Sequence, residues 1–186
     1  MKMDDLKKEK TQGLNFQYLG DVIDKKKEIG NKYITPGFGL AGQLFSTMAK
    51  HVIKELGPEK GEALLKDAIE EFGLERGRRI AEKVRVENKS LSLKNWLIYT
   101  DIDSIENFRP ISSTPNGDFV VKIKHCTFIN AAKEWGLNEY AKIYCKYVDY
   151  KILEGYNPDV KLILESRHDT GANRCVFRYV MKEENK

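Results

Sequence analysis

The chain has 186 residues, of which 41% are hydrophobic and 32% are charged, a composition typical of a globular protein with its own core. Its 32 basic and 28 acidic residues give a net charge of +4, which is too balanced to indicate a nucleic-acid surface. No apolar run is long enough to cross a bilayer, and the charged start MKMDDLKKEKTQG lacks the apolar segment of a secretion signal. We therefore expect a cytoplasmic protein that binds neither nucleic acid nor a membrane.

The first half of the chain has mostly helical texture, from residue 14 to about residue 101, after a charged tail over residues 1–13. Gly57-Pro58 predicts the end of one long helix and the start of the next. The second of these contains Gly73 and Gly77, each of which weakens a helix by about 1 kcal/mol relative to alanine. They indicate a kink, or a place where another backbone or a ligand comes close. A short helix is predicted over SLKNWLIYTDI.

Apolar residues recur at helical spacing in the first long helix, GLAGQLFSTMAKHVIKELG. This spacing predicts that one stripe of the helix is apolar and packs on the core. The stripe comprises Leu40, Leu44, Phe45, Met48, Val52, Ile53 and Leu56.

The second half changes to a strand period. NFRPISST and DFVVKIKH flank Pro115-Asn116-Gly117, and Asn-Gly is a strong hairpin signal. Two helices follow at about 127–135 and 138–154, with Gly136 as the stop between them. DVKLILESR and RCVFRYVMK then predict a second hairpin around HDTGAN.

The predicted fold class is α+β, with a helical N-terminal half followed by an antiparallel sheet. The sheet is expected to come from two hairpins with two helices between them. We expect a single domain over residues 14–182, with its helical part at about 14–101 and its hairpin-helix-helix-hairpin part at about 105–181.

Three widely spaced cysteines are the first candidates for chemistry. Without a CxxC pair, they indicate neither a zinc ribbon nor a dithiol redox motif, and the cytoplasm would keep them reduced. Cys126 lies where a strand ends and a helix begins, so the helix N-terminus is expected to lower its pKa. Cys145 and Asp149 are four residues apart and share one helix face. The alternative for each cysteine is a space-filling role in the core.

Polar residues near these cysteines are the second group of candidates. His125 adjoins Cys126 but points to the opposite face if both belong to the strand. His168 lies in the last hairpin loop, where a histidine is a fair functional candidate. Arg76 belongs to the run ERGRRIAEKVR, which is more often a solvated face with ion pairs than a fork that holds a substrate carboxylate.

The C-terminal part, about residues 119–180, resembles the L-2-amino-thiazoline-4-carboxylic acid hydrolase family. The helical Gly-x-x-x-Gly-x-x-x-Ala stretch of Gly73, Gly77 and Ala81 fits more loosely. One departure concerns the last loop, where Gly171-Ala172 stands in place of the family's usual Gly-Asp. The motifs that carry the resemblance are Cys126, Trp135-Gly136, Cys145 with Asp149, Gly155-Tyr156-Asn157-Pro158, Thr170-Gly171 and Cys175-Val176-Phe177.

The resemblance implies hydrolysis of a cyclic C=N bond in a thiazoline that carries an amino group and a carboxylate, opening the ring toward N-carbamoyl-cysteine. It also implies an α+β fold with a buried pocket for a small-molecule substrate. Such chemistry needs a nucleophile, a proton-transfer group and a cationic clamp. The resemblance assigns catalysis to Cys145, Asp149 and Cys126. With the positions of these residues in the sequence, it leads us to expect substrate contacts from Cys175, Thr170, His125 and Arg76. No cofactor and no metal is expected.

Three other functions stay open at this point. The domain could bind a small molecule without turning it over, or use its cysteines to hold a metal or cofactor. It could also act on a different cyclic amidine, amide or thioester, because the Gly171–Cys175 loop is altered. Association into a homo-oligomer is left open as well.

Overall fold

The structure, a computed structural model, describes residues 5–172 and 174–180. Contacts within the chain divide it into two compact units, residues 1–35 and residues 36–186. This division reflects contacts, whereas the predicted domain start at residue 14 concerns which part of the chain folds independently. That start therefore stays a prediction. Asn173 of the last loop and residues 181 and 182 of the predicted last strand lie outside the described residues.

The first unit contains two short helices, α1 (Asp5–Gln12) and α2 (Val22–Ile29), neither of which has a buried residue. The segment predicted as a charged tail thus includes one full helix. Between the helices, the hydroxyl of Tyr18 donates a hydrogen bond to Glu9 Oε1 at 3.0 Å.

The second unit confirms the predicted α+β class and the order of its elements. Within the described residues its helices are α3 (Gly37–Leu56), α4 (Pro58–Val86), α5 (Leu93–Tyr99), α6 (Ser104–Phe108), α7 (Thr127–Glu134) and α8 (Asn138–Tyr156). Its strands are β1 (Ile111–Ser113), β2 (Phe119–Ile123), β3 (Lys161–Ser166) and β4 (Cys175–Val180). Short 3-10 turns at 115–117 and 168–170 close the two hairpins.

The four strands form one antiparallel sheet in the order β1-β2-β4-β3. The pairing of β2 with β4 places Ile123 opposite Cys175, Val121 opposite Phe177 and Phe119 opposite Tyr179. Because side chains alternate along a strand, these six residues share one face of the sheet. That face supplies one wall of the site described below.

The predicted apolar stripe of α3 is wrong in part. Leu40, Leu44 and Met48 are 55%, 64% and 59% exposed, and Leu56 is exposed as well. The helix instead buries a face of small and polar residues, comprising Gly39, Gly42, Gln43, Ser46 and Ala49. The physical reason is close packing, because a Cβ on Gly42 would overlap the backbone of Phe128 in α7.

Helices α4 and α8 pack closely along much of their length and bury most of the larger core cluster. The prediction that Gly73 and Gly77 mark a close approach of another backbone is confirmed, because both face the backbone of α8. Ala81, one turn further on, is completely buried. No helix among the described residues is long and apolar enough to span a membrane.

Candidate active site

A cavity of about 230 Å³ lies between the apolar face of the sheet and the helices of the second unit. Ligand pockets for drug-sized molecules span roughly 300–1,000 Å³, so this one suits a smaller compound. Its walls are mostly aromatic and aliphatic. Its polar and sulfur-bearing lining consists of Arg76, Thr100, Ser104, Ser112, Cys126, Tyr144, Cys145, Asp149, Arg167, His168, Cys175 and Tyr179.

Helix α8 presents Cys145 and Asp149 to this cavity, as their spacing predicts. Residues four apart on a helix have Cβ atoms about 5–6 Å apart, so the thiol and the carboxylate are neighbours on one wall. Both side chains are half-buried. Cys145 also packs against the core cluster around Phe128 and Ala132. It therefore belongs to the core and lines the cavity at the same time.

The negative charge of Asp149 acts on two buried phenols of the cavity. Burial raises the pKa of Tyr144, and Asp149 raises it further against the opposing charge of Arg76. Burial likewise raises the pKa of Tyr179, again reinforced by Asp149. Both phenols are therefore neutral hydrogen-bonding groups at physiological pH.

Cys126 lines the cavity just before α7, but its predicted activation is wrong. Burial raises the pKa of the Cys126 thiol to about 11, and the backbone N–H groups of Ile129 and Phe128 oppose this only in part. Helix α7 begins where the sequence predicts. However, the free-energy cost of burying a charged sulfur is larger than the stabilisation that the helix N-terminus gives to the thiolate. Cys126 is a poor nucleophile in this setting, because only the thiolate attacks.

Arg76 reaches the cavity from α4 and is held there by Asp101. Its Nε donates to both carboxylate oxygens at 3.0 Å, and its Nη2 donates to Oδ1 at 2.6 Å. Burial opposes both charges, but the pairing outweighs it, so the pKa of Asp101 is lowered and that of Arg76 is raised. The sequence gives no signal for this partner, since Asp101 lies 25 residues away in a loop.

The loop between β3 and β4 contributes His168, with Arg167 and Cys175 at its two ends. The backbone N–H of His168 donates to Cys175 Sγ at 3.4 Å. Nδ1 of the His168 ring lies 3.1 Å from the carbonyl oxygen of Ala172. The Nη1 group of Arg167 donates to the carbonyl of Lys146 at 3.5 Å, which ties the loop to α8 beside Cys145.

Two of the predicted site residues do not line the cavity. Nδ1 of His125 lies 3.1 Å from the side-chain amide nitrogen of Asn130 at the start of α7. Thr170 is exposed, and its hydroxyl donates to the carbonyl of Arg167 at 2.9 Å. Each of these side chains instead contacts a group within five residues along the chain. No group of three or more His, Cys, Asp or Glu side chains suited to a metal ion occurs among the residues described.

The chain was compared with known protein families. The model of a family described as L-2-amino-thiazoline-4-carboxylic acid hydrolase matches residues 38–179. The match begins far before residue 119 and includes α3 from Phe38 onward, α4 and the residues that line the cavity. No curated protein and no solved structure matches the chain.

Proposed function

Since this chain belongs to the L-2-amino-thiazoline-4-carboxylic acid hydrolase family, we propose that it hydrolyses a small cyclic amidine bearing a carboxylate. The substrate proposed first is 2-amino-thiazoline-4-carboxylate, which gives N-carbamoyl-cysteine. A related hydrolase acting on a different cyclic C=N compound is the nearest variant, because the Gly171–Cys175 loop departs from the family pattern.

One observation carries this proposal. The small cavity brings the thiol of Cys145 and the carboxylate of Asp149 together on one wall, within the segment that matches the family. Nucleophilic attack on the carbon of a positively charged amidine requires two groups. One is a polarisable nucleophile, and the other is an anion that holds the charged amidine. The surrounding apolar walls lower the local dielectric constant and so strengthen the attraction between the carboxylate and the amidinium.

In the proposed reaction, Asp149 holds the protonated amidine, and Cys145 sulfur attacks the carbon between the two nitrogens. The thiol proton passes to a nearby base, the carbon–sulfur bond of the ring breaks, and the departing sulfur takes that proton. Water then attacks the same carbon, and the bond to Cys145 breaks. One water molecule is consumed, and the former amidine carbon becomes the carbonyl of a neutral urea as its C–OH group releases to solvent the extra proton that the amidinium brought.

Arg76 is proposed to attract the substrate carboxylate. Its guanidinium lines the cavity and is held in position by Asp101, so little side-chain freedom is lost when the substrate binds. Arginine suits this role because its guanidinium has five N–H donors, more than Asp101 takes up through Nε and Nη2. The third predicted catalytic residue, Cys126, has no step in this scheme because burial raises its pKa.

The proposal is tested by incubating the purified protein with 2-amino-thiazoline-4-carboxylate and following the release of thiol. Cys145→Ser is the test variant, and Glu139→Gln at the exposed start of α8 is the control. We expect steady thiol release by the wild type and the control, and none above background by Cys145→Ser. Equal rates for Cys145→Ser and the wild type would overturn the role of the thiol.

A second function is favoured by the aromatic character of the walls, which include Phe38, Trp96, Phe119, Phe128 and Phe177. Such a cavity suits an apolar or aromatic ligand that is sensed and released unchanged. Recovery of the bound ligand without chemical change would distinguish this function from hydrolysis.

A further inference from the structure

His168 has a buried ring nitrogen that has no hydrogen-bond partner among the described residues. It begins the 3-10 turn after β3, where the loop packs on α8, the helix that also carries Cys145 and Asp149. Its side chain lines the cavity. Nε2 is buried and makes no hydrogen bond within residues 5–172 and 174–180.

The hydrogen bond of the other ring nitrogen fixes the tautomer. The carbonyl oxygen of Ala172 can only accept, so Nδ1, 3.1 Å away, must carry a proton. In the neutral imidazole the second nitrogen is then a bare acceptor. The backbone of the same residue is tied to Cys175 Sγ, so both ring and main chain are held in place.

A buried acceptor without a partner costs free energy, which a donor bound in the cavity would remove. A purely structural histidine would be expected to have both ring nitrogens bonded to protein groups. The one-sided bonding of His168 resembles the arrangement in which a histidine base is oriented through Nδ1 and works through Nε2.

We propose that His168 is the proton carrier of this cavity, through Nε2. The inference rests on the proposed function and adds a residue to it. Nε2 takes the proton from the Cys145 thiol as sulfur attacks and returns it to the ring sulfur as the carbon–sulfur bond breaks. It then takes a proton from the attacking water and gives it to Cys145 sulfur when that bond breaks. Asp149 is left to hold the amidinium.

The kinetic test compares His168→Asn with His168→Ala. The side-chain amide of asparagine can still donate a hydrogen bond to the Ala172 carbonyl, as Nδ1 does, but asparagine has no counterpart of Nε2. His168→Asn therefore keeps the structural role of the side chain in the loop and removes only proton transfer. We expect kcat to fall about 10²–10⁴-fold in both variants with little change in KM. Added imidazole should restore part of kcat in His168→Ala. His51→Asn, an exposed histidine on α3, is the control and should keep the wild-type rate. A wild-type kcat in His168→Asn would overturn the proposal.

A second measurement does not depend on turnover. In protein labelled with ¹⁵N-histidine, the His168 ring signals are assigned by their loss in His168→Asn. We expect Nδ1 to carry a proton, Nε2 to carry none, and the Nε2 signal to move when 2-amino-thiazoline-4-carboxylate is added. A protonated Nε2 in the neutral ring, or an Nε2 signal that the compound leaves unchanged, would overturn the inference. A moving signal without turnover would instead overturn the proposed hydrolysis and leave Nε2 as the ligand acceptor.

Discussion

Gly77 of α4 lies directly against the carbonyl of Ile152 in α8, so that neither helix has a side chain between their backbones at this point. Gly155 of α8 meets the carbonyl of Leu74 in the same way. This reciprocal contact sets how deeply α8 sits in the second unit. Because α8 carries Cys145 and Asp149, the contact also positions the proposed nucleophile.

Gly77→Ala is therefore expected to destabilise the protein. An added Cβ would overlap the Ile152 carbonyl and lie 2.8 Å from the backbone nitrogen of Tyr156, and neither backbone group can turn aside. We expect a loss of about 2 kcal/mol in the free energy of unfolding, since overpacking outweighs alanine's higher helix propensity. Urea unfolding measures it.

The matched control is Gly37→Ala at the first turn of α3. A Cβ there has no neighbour within 4 Å, so its effect should stay within about 0.5 kcal/mol. Equal stabilities of Gly77→Ala and Gly37→Ala would contradict the close packing of α4 on α8.

The Arg76–Asp101 pair should make the free energy of unfolding depend on pH in the acid range. The pKa of Asp101 is lowered in the folded protein, so its contribution is complete above the unfolded carboxyl value of about 3.9. It is lost as the pH falls through the lower folded value. Thermal unfolding of Asp101→Asn should show lower stability than the wild type at pH 7, with the difference shrinking below about pH 4.

Glu75→Gln is the control for this prediction, because Glu75 pairs with Arg79 on the exposed side of the same helix. Exposed pairs contribute about 0–1 kcal/mol, so the control should differ little from the wild type at either pH. A difference between Asp101→Asn and the wild type that persists unchanged into acid would contradict the lowered pKa.

Cys126 should label slowly in the folded protein. Burial raises the pKa of Cys126 to about 11, about two units above its ordinary value, which leaves roughly 100-fold less thiolate at neutral pH. We expect iodoacetamide to modify Cys126 at least about 100-fold more slowly in the folded state than in urea. Peptide mass spectrometry gives the rate for this site, and similar rates in the two states would show that burial does not protect the sulfur.

Asp149→Asn should impair turnover without unfolding the protein. The change keeps the size of the side chain but removes the charge proposed to hold the amidinium. Loss of one preorganised electrostatic contact typically costs about 10²–10³-fold in kcat. Steady-state kinetics of Asp149→Asn measure this loss, with Glu139→Gln as the control for a charge removed elsewhere on α8. Full activity of Asp149→Asn would remove this residue from the mechanism.

Local signals in the sequence predict much of this fold. Asn116 and Gly117 have the positive φ angles of 56° and 89° that their hairpin turn requires, and Gly136 ends α7 with a φ of 70°. The alternation of β2 predicts its apolar face, which now lines the cavity. These features depend on neighbours along the chain, which is why the sequence alone predicts them.

Features that depend on distant packing are not predicted. The periodicity of α3 predicts Leu40 and Leu44 as core residues, because it does not show that α7 packs closely against Gly42. The pKa of Cys126 follows its burial and not its helix position. For the same reason, the sequence brings Cys145 and Asp149 together on one helix and marks His168 as a loop candidate, but it does not show that His168 lines the same cavity.

Turnover of 2-amino-thiazoline-4-carboxylate in H₂¹⁸O tests whether this cavity hydrolyses a cyclic amidine. We expect the wild type, and not Cys145→Ser, to form N-carbamoyl-cysteine with one ¹⁸O atom in its urea carbonyl. Recovery of the thiazoline unchanged, from protein shown to bind it, would rule out hydrolysis of this compound and favour a binding domain.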